Sequence, residues 1–205
     1  MNTPSPHGRP PVTVVPAAEL GEGHRRAITE VFVGGFAADF AGLSSDPRRL
    51  VDAFEHMLVL DVFHVGLVDG RPAGIAACTD GVRPSVRHRG AQLRRHLGLV
   101  RGTIGDLVLR SEFGGSVAGA REGTASIEFV ATAPAYQGRG VATAILRHLL
   151  ELPGYTEFVL EDVADTNTAA LALYAKLGFT EYRRRKVSHT RWSGINAYVS
   201  LRRGR

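Results

Sequence analysis

The sequence predicts an α/β (α+β) domain organised on a mixed, mostly antiparallel sheet of about six to seven strands flanked by helices. Three stretches carry that reading. Asp69-Gly70 separates two β-branched and apolar runs, Phe63 to Val68 and Ala73 to Cys78, as the turn of a hairpin does. Ser126 to Ala144 reads as a strand, a glycine turn and a helix start, and a second strand and helix follow it. Glu181 to Val187 and Ile195 to Leu201 read as a closing antiparallel pair, with Trp192-Ser193-Gly194 in the connection. At 205 residues with 44% hydrophobic content, the chain is long enough for one well-buried core and short for two.

Residues 1–11 carry four prolines and little apolar content, which predicts a flexible tail, and residues 12–205 are expected to form a single domain. Val12 to Val15 is a short β-branched run. From Leu20 to Phe36, Ala27, Ile28, Val31 and Phe32 recur at helical spacing, and Gly34-Gly35 ends or kinks that helix. A second helix begins after Ser45. Asp46 or Ser45 caps it, Pro47 suits its first turn, and Leu50, Val51, Phe54, Met57 and Leu58 make its buried stripe.

After the hairpin, residues 83–123 read as a helical and glycine-rich insertion. Its first part crowds Arg83, Arg87, His88, Arg89, Arg94, Arg95, His96 and Arg101 into a short span, and Gly114, Gly115, Gly119 and Gly123 mark a loose loop able to move as a lid. Pro134 ends the strand that follows, because it has no N–H to donate to the ladder. Val141, Ala142, Ile145, Leu146 and Leu149 share one helical face, closed by Pro153-Gly154. Phe158 to Val163 is a strand; Asp165-Thr166-Asn167 caps a helix carrying Ala170, Leu171, Tyr174 and Leu177, which Gly178 stops, with Phe179 packing back on the last turn.

A formal net charge of +5 and a pI near 9.9 favour an anionic partner: a nucleotide cofactor, a nucleic acid or an acidic surface. The Arg83 to Arg101 cluster reads either as such a contact surface or as a solvated helix face whose stems cover apolar surface. The second is favoured, since no aromatic platform is interleaved for base stacking. Cys78 stands alone, so no internal disulfide forms, and it reads as a small buried hydrophobe. The eight His residues lack metal-ligand spacing, and no metal is expected. No apolar run nears the roughly 20 residues needed to span a bilayer, and the N-terminus has no apolar signal core. A soluble, cytoplasmic chain without a membrane partner is expected, as a monomer or homodimer.

The turn after the Ile127 to Thr132 strand carries the chemistry. Gly138 and Gly140 permit a backbone that points N–H groups outward where the Val141 helix begins. Unpaired donors at the positive end of a helix dipole favour an anion, best of all a phosphate or pyrophosphate.

Gln137-Gly138-Arg139-Gly140-Val141-Ala142, followed about thirty residues later by Asn167, Ala170, Tyr174 and Leu177-Gly178-Phe179, resembles the paired signatures of the GNAT N-acetyltransferases. The element order from Val12 to about Leu201 is similar as well. The resemblance implies acetyl-CoA as co-substrate. It places the pyrophosphate on Gln137, Gly138, Arg139, Gly140, Val141, Ala142 and Thr143. The pantetheine arm would lie along Val130, Ala131 and Thr132, in a cleft where the Ser126 to Thr132 and Phe158 to Val163 strands splay apart. Asn167 would contact that arm or its waters, in addition to or instead of capping its helix.

The resemblance also implies acetyl transfer to a primary amine by direct attack, with Tyr174 as general acid and residues 83–123 on the acceptor side. Tyr174 read without it is an aromatic on a core-facing helix. The chemistry also needs a general base to take the amine proton. Glu128 is chosen, at the parity of Ser126 and Val130, against a solvated or salt-bridged carboxylate. Alternation sends Glu161 and Asp162 to opposite faces of the facing strand, so only one of them sees the cleft. The acceptor stays open among a protein N-terminus, a lysine, a polyamine and an antibiotic-like amine. Two rival readings are a non-catalytic acetyl-CoA-binding sensor and, less favoured, an Arg-rich nucleic-acid binder.

Overall fold

The computed structural model describes residues 11–113, 122–187 and 194–205, of which 108–113 by backbone alone. The expected tail before Pro11, most of the glycine loop and Trp192-Ser193 lie outside the described residues. The chain begins with β1 (Thr13–Pro16) and α1 (Ala17–Leu20), and a 3-10 turn over Glu22–His24 leads to α2 (Arg25–Gly35), α3 (Ala37–Phe40) and α4 (Pro47–Phe54). The hairpin strands β2 (Phe63–Val68) and β3 (Arg71–Thr79) come next, then α5 (Gly90–Leu97) and α6 (Leu99–Phe113). The second half holds β4 (Thr124–Thr132), α7 (Val141–Leu150), β5 (Glu157–Ala164), α8 (Thr168–Lys176), β6 (Thr180–Lys186) and β7 (Ala197–Gly204).

Seven strands pair in the order β1-β2-β3-β4-β5-β7-β6, antiparallel throughout except for β4 with β5. The mixed, mostly antiparallel sheet read from the sequence is therefore present, with β7 inserted between β5 and β6. Local chemistry explains most elements. Asp69 and Gly70 both have positive φ, +50° and +73°, as a two-residue hairpin turn with matching twist requires. Asp46 accepts from the Arg48 N–H at 2.9 Å and Pro47 opens α4, so two of the orphan positions at that helix start are satisfied or removed. α8 ends as the sequence predicts: Gly178 takes φ +84°, its N–H donates to the Ala175 carbonyl, and the Phe179 N–H reaches back to the Tyr174 carbonyl.

Two apolar layers cover the sheet. On one face α2 and α4 bury Ile28, Phe32, Leu50 and Phe54 against Phe63, Val65 and Ile75. On the other, α7 and α8 bury Val141, Ile145, Leu146, Leu149 and Tyr174 against Ala73, Ile127, Phe158 and Leu160. Each fully buried Phe or Leu among them contributes roughly 1.5–3 kcal/mol of transfer free energy. α7 crosses the sheet closely over Gly74, where an added Cβ would fall 2.6 Å from Val141 Cγ1.

β4 and β5 pair only at their beginnings, from Thr124↔Glu157 to Ser126↔Val159. Beyond that point each strand carries a bulge against its other neighbour. Phe129 and Val130 stand opposite Ala76 alone, and Glu161 and Asp162 stand opposite Ser200 alone. Phe129 and Asp162 adopt φ +52° and +51°. The bulged strands bend, their ladder stops, and a cleft opens between them.

Candidate active site

The cleft has a polar mouth at the end of β4. A 3-10 turn over Pro134–Tyr136 carries the chain to Gly138 (φ +71°) and Gly140 (φ +84°), which is left-handed and serves as the N-cap of α7. A β-carbon at either glycine would meet nothing within 4 Å, so backbone conformation rather than crowding demands glycine here. The first bond of α7 runs from the Ala144 N–H to the Gly140 carbonyl at 2.9 Å. The amides of Val141, Ala142 and Thr143 have no intrahelical acceptor, and among the described residues those of Gly138 and Gly140 have none either. The Arg139 amide is instead turned back to the Tyr136 carbonyl at 3.4 Å, while its guanidinium lies 5.4 Å from the centre of the Tyr136 ring. The Gln137 side-chain amide donates to the Thr132 carbonyl at 3.5 Å, tying the turn to β4. The result is a set of amides without backbone acceptors at an exposed turn and a helix start, with a cation beside them, which suits an anion such as a pyrophosphate.

α8 delivers Tyr174 and Asn167. Asn167 caps the helix, its Oδ1 accepting from the Ala170 N–H at 3.2 Å, which leaves its NH2 free to donate elsewhere. Tyr174 is 5% exposed and packs edge-on against Phe179, with ring centres 6.1 Å apart. Burial pushes its phenol up to about 12, so it keeps its proton at neutral pH. No hydrogen-bond partner for that hydroxyl is present among the described residues.

Glu128 lies on the opposite face of β4. Its Oε1 accepts from Thr79 Oγ1 at 3.2 Å and its Oε2 accepts a short hydrogen bond from Ser85 Oγ. Sequence reasoning missed both hydroxyl partners, since Ser85 sits in the arginine-rich connection with no motif around it. The bulge also corrects the expected parity. Ala125, Ile127 and Val130 pack with α7 and α8, whereas Phe129 and Ala131 pack with α2, so the strand changes face between Glu128 and Val130. Glu128 keeps the parity of Ser126 and loses that of Val130. Ser126 Oγ is itself buried and has no hydrogen-bond partner among the described residues.

The second bulge overturns the expectation that Glu161 and Asp162 face opposite ways. Arg183 Nη2 forms a short ion pair with Glu161 and lies 3.7 Å from Asp162 Oδ1, so both carboxylates reach one guanidinium. Arg185 adds a contact to Asp162 at 3.5 Å, Tyr182 donates to Glu161, and the Asp162 N–H donates to Ser200 Oγ at 3.4 Å. Glu161 and Asp162 are thereby held by β6, while Glu128 meets hydroxyls and no cation among the described residues.

Cys78 is buried, and its thiol is pushed up to about 12 by burial first and the nearby Glu128 and Asp80 charges second. It is a packed side chain rather than a nucleophile. Among the described residues no three His, Cys, Asp or Glu side chains gather as a metal site, and no helix is long and apolar enough to cross a membrane.

A family model described as the Acetyltransferase (GNAT) family matches residues 36–179, which include β4, the glycine turn, α7 and α8. The N-alpha-acetyltransferase RimI of Mycobacterium tuberculosis is 44% identical over 69 residues, covering 34% of this chain and 42% of that protein, so the chain matches less than half the length of this curated relative. An N-acetyltransferase from Staphylococcus aureus Mu50 superposes with a TM-score of 0.61 at 21% identity, covering 93% of this chain and all of that one, 100%. The structure of yncA from Salmonella typhimurium with its cofactor acetyl-CoA superposes with a TM-score of 0.55 at 18% identity over 95% of this chain and 94% of that one. With more than half of its length matched by the family model, the chain belongs to the GNAT acetyltransferase family.

Proposed function

We propose that this chain transfers the acetyl group of acetyl-CoA to a primary amine, and that the acceptor is the α-amine of a polypeptide. The observation that carries the first part is the set of unpaired amides at Gly138, Gly140, Val141, Ala142 and Thr143, placed at the mouth of the cleft between β4 and β5. The local likeness to RimI, a protein named for N-alpha acetylation, favours the α-amine over lysine or small amines.

The residues present fit the co-substrate. The amide set and the Arg139 guanidinium would hold the pyrophosphate, with Gln137 bracing the turn. The β4 backbone at Val130, Ala131 and Thr132 would line the pantetheine arm along the unpaired edge facing β5, and the free NH2 of Asn167 would donate to the arm or its water. Bound there, acetyl-CoA supplies an activated acyl carbonyl and a thiolate leaving group. Two proton transfers remain for side chains. Glu128, with Thr79 and Ser85 fixing its two oxygens, takes a proton from the acceptor amine directly or through water. Tyr174 supplies one to the departing sulfur. Its raised pKa keeps the donor loaded at neutral pH and makes donation costlier than from a free phenol.

The test is incubation with acetyl-CoA and short peptides, with mass spectrometry locating the acetyl group. Acetylation of a free N-terminus, absent on an N-blocked peptide with an internal lysine, is the expected result. Tight acetyl-CoA binding with no CoA released from any amine offered would instead make the chain a sensor.

A further inference from the structure

β3 and β4 are antiparallel neighbours, which a two-residue turn is enough to join. Here residues 80–123 intervene, and they include α5 and α6. From Gly81 to Gly105 there is no Asp or Glu, and Arg83, Arg87, Arg89, Arg94, Arg95 and Arg101 fall within the stretch. None of these guanidinium groups forms an ion pair among the described residues, whereas Arg25, Arg26, Arg183, Arg184 and Arg185 each meet a carboxylate.

α5 and α6 fold back on each other about Gly98. An added Cβ at Gly102 would fall 2.5 Å from the Arg94 backbone, and one at Gly105 would lie 3.2 Å from Leu43. Gly102 and Gly105 thus mark the inward face of α6. Its outward face shows Val100 (72% exposed), Ile104 (53%) and Leu107 (69%), with Leu99 beside them at 76%. Contiguous apolar side chains of that size left in water mark a contact surface. Arg101 on the same helix and Arg95 on α5 are exposed as well.

The occupant must therefore carry both apolar and negative groups. A nucleic acid has no apolar counter-surface to offer, and no Phe, Tyr or Trp occurs between Gly81 and Leu107 for its bases to stack on. A lipid surface offers both chemistries, yet this connection is tied to the cleft. Ser85 donates to Glu128, and the Arg87 N–H and Ser85 carbonyl bond with Met57 and Val59 beside it.

We propose that the α5–α6 hairpin docks an acidic segment, interspersed with apolar side chains, of the polypeptide whose α-amine reaches Glu128. The proposal rests on the polypeptide-acceptor reading above. Its test uses the full chain and a C-terminally labelled peptide with a free N-terminus followed by Leu and Glu at helical spacing, read by fluorescence anisotropy. A version with Gln in place of Glu is the control. Binding should weaken roughly tenfold or more for the Gln peptide, for Arg95→Glu/Arg101→Glu and for Ile104→Asp, and should fall with added salt. CoA release from a short neutral peptide should be unchanged in these variants, which separates the docking surface from the acetyltransferase reading: loss of that release with the unsubstituted chain sinks the latter alone. Equal affinity for the Glu and Gln peptides overturns the proposal. So does retention on phosphatidylserine vesicles or duplex DNA that Arg95→Glu/Arg101→Glu abolishes, in the absence of peptide binding.

Discussion

Phe129 and Asp162 occupy the same sparsely populated backbone region, φ +52° and +51°, on the two parallel neighbours that part to form the cleft. Neither is glycine, so each conformation costs on the order of 1–3 kcal/mol and must be held by its surroundings. Phe129 is held by aromatic packing, its ring 5.3 Å from Phe32, 5.8 Å from Phe36 and 6.4 Å from Phe63. Asp162 is held by Ser200, Arg183 and Arg185. The opening between β4 and β5 is therefore maintained by side chains on both sides of it.

Removing one of those supports should be costly. Phe129→Ala is expected to destabilise the fold by about 3 kcal/mol, since it deletes a ring packed against three others and leaves the left-handed φ in place. Urea unfolding measures this. A change below about 0.5 kcal/mol would mean the ring does not support the bulge.

Tyr174→Phe should lower kcat roughly hundredfold while leaving the KM for acetyl-CoA unchanged, the signature of a group used only as charge develops on sulfur. Because burial raises this phenol to about 12, its proton stays on across the working range, and any alkaline limb in kcat below pH 10 must come from another group. A limb below pH 10 that disappears in Tyr174→Phe would contradict that assignment.

Glu128→Gln removes the proton acceptor and should lower kcat by roughly two orders of magnitude, with acetyl-CoA affinity preserved. Ser85→Ala frees Glu128 Oε2 and should produce a smaller loss, which the Ser85→Thr substitution restores. Equal activity in Glu128→Gln and the unsubstituted chain would move the base elsewhere on the cleft.

His64 offers a test of stability against pH. It is 9% exposed, its Nδ1 lies 3.2 Å from His148 Nε2, and burial first and the His148 charge second depress it to about 4. A depressed folded pKa contributes stability that is full above the unfolded value near 6.5 and is lost as pH falls through about 4. Tm should therefore drop between pH 6.5 and pH 4, and His64→Gln should flatten that drop. An identical slope in the variant would place the acid sensitivity in other groups.

Much of this molecule is legible in its sequence because the signals are local. Asp69-Gly70, Asp46-Pro47, Asn167 and Gly178 each do the backbone work their residue types favour, and Gly138 and Gly140 mark the amide set. What escaped notice depends on contacts between distant segments. Strict alternation along β4 and β5 put Val130 with Glu128 and separated Glu161 from Asp162, because nothing in a Phe or an Asp announces a left-handed bulge. The placement of Ser85 against Glu128 spans 43 residues, and the insertion of β7 between β5 and β6 is a property of the whole sheet.

Isothermal calorimetry of acetyl-CoA with the unsubstituted chain and with Gly140→Asp tests the central claim most directly, with circular dichroism confirming that the variant stays folded. The variant places a carboxylate among the amides of Gly138, Val141, Ala142 and Thr143, so binding should weaken roughly hundredfold or vanish. Unchanged affinity in a folded Gly140→Asp protein would contradict the assignment of the glycine turn as the acetyl-CoA site.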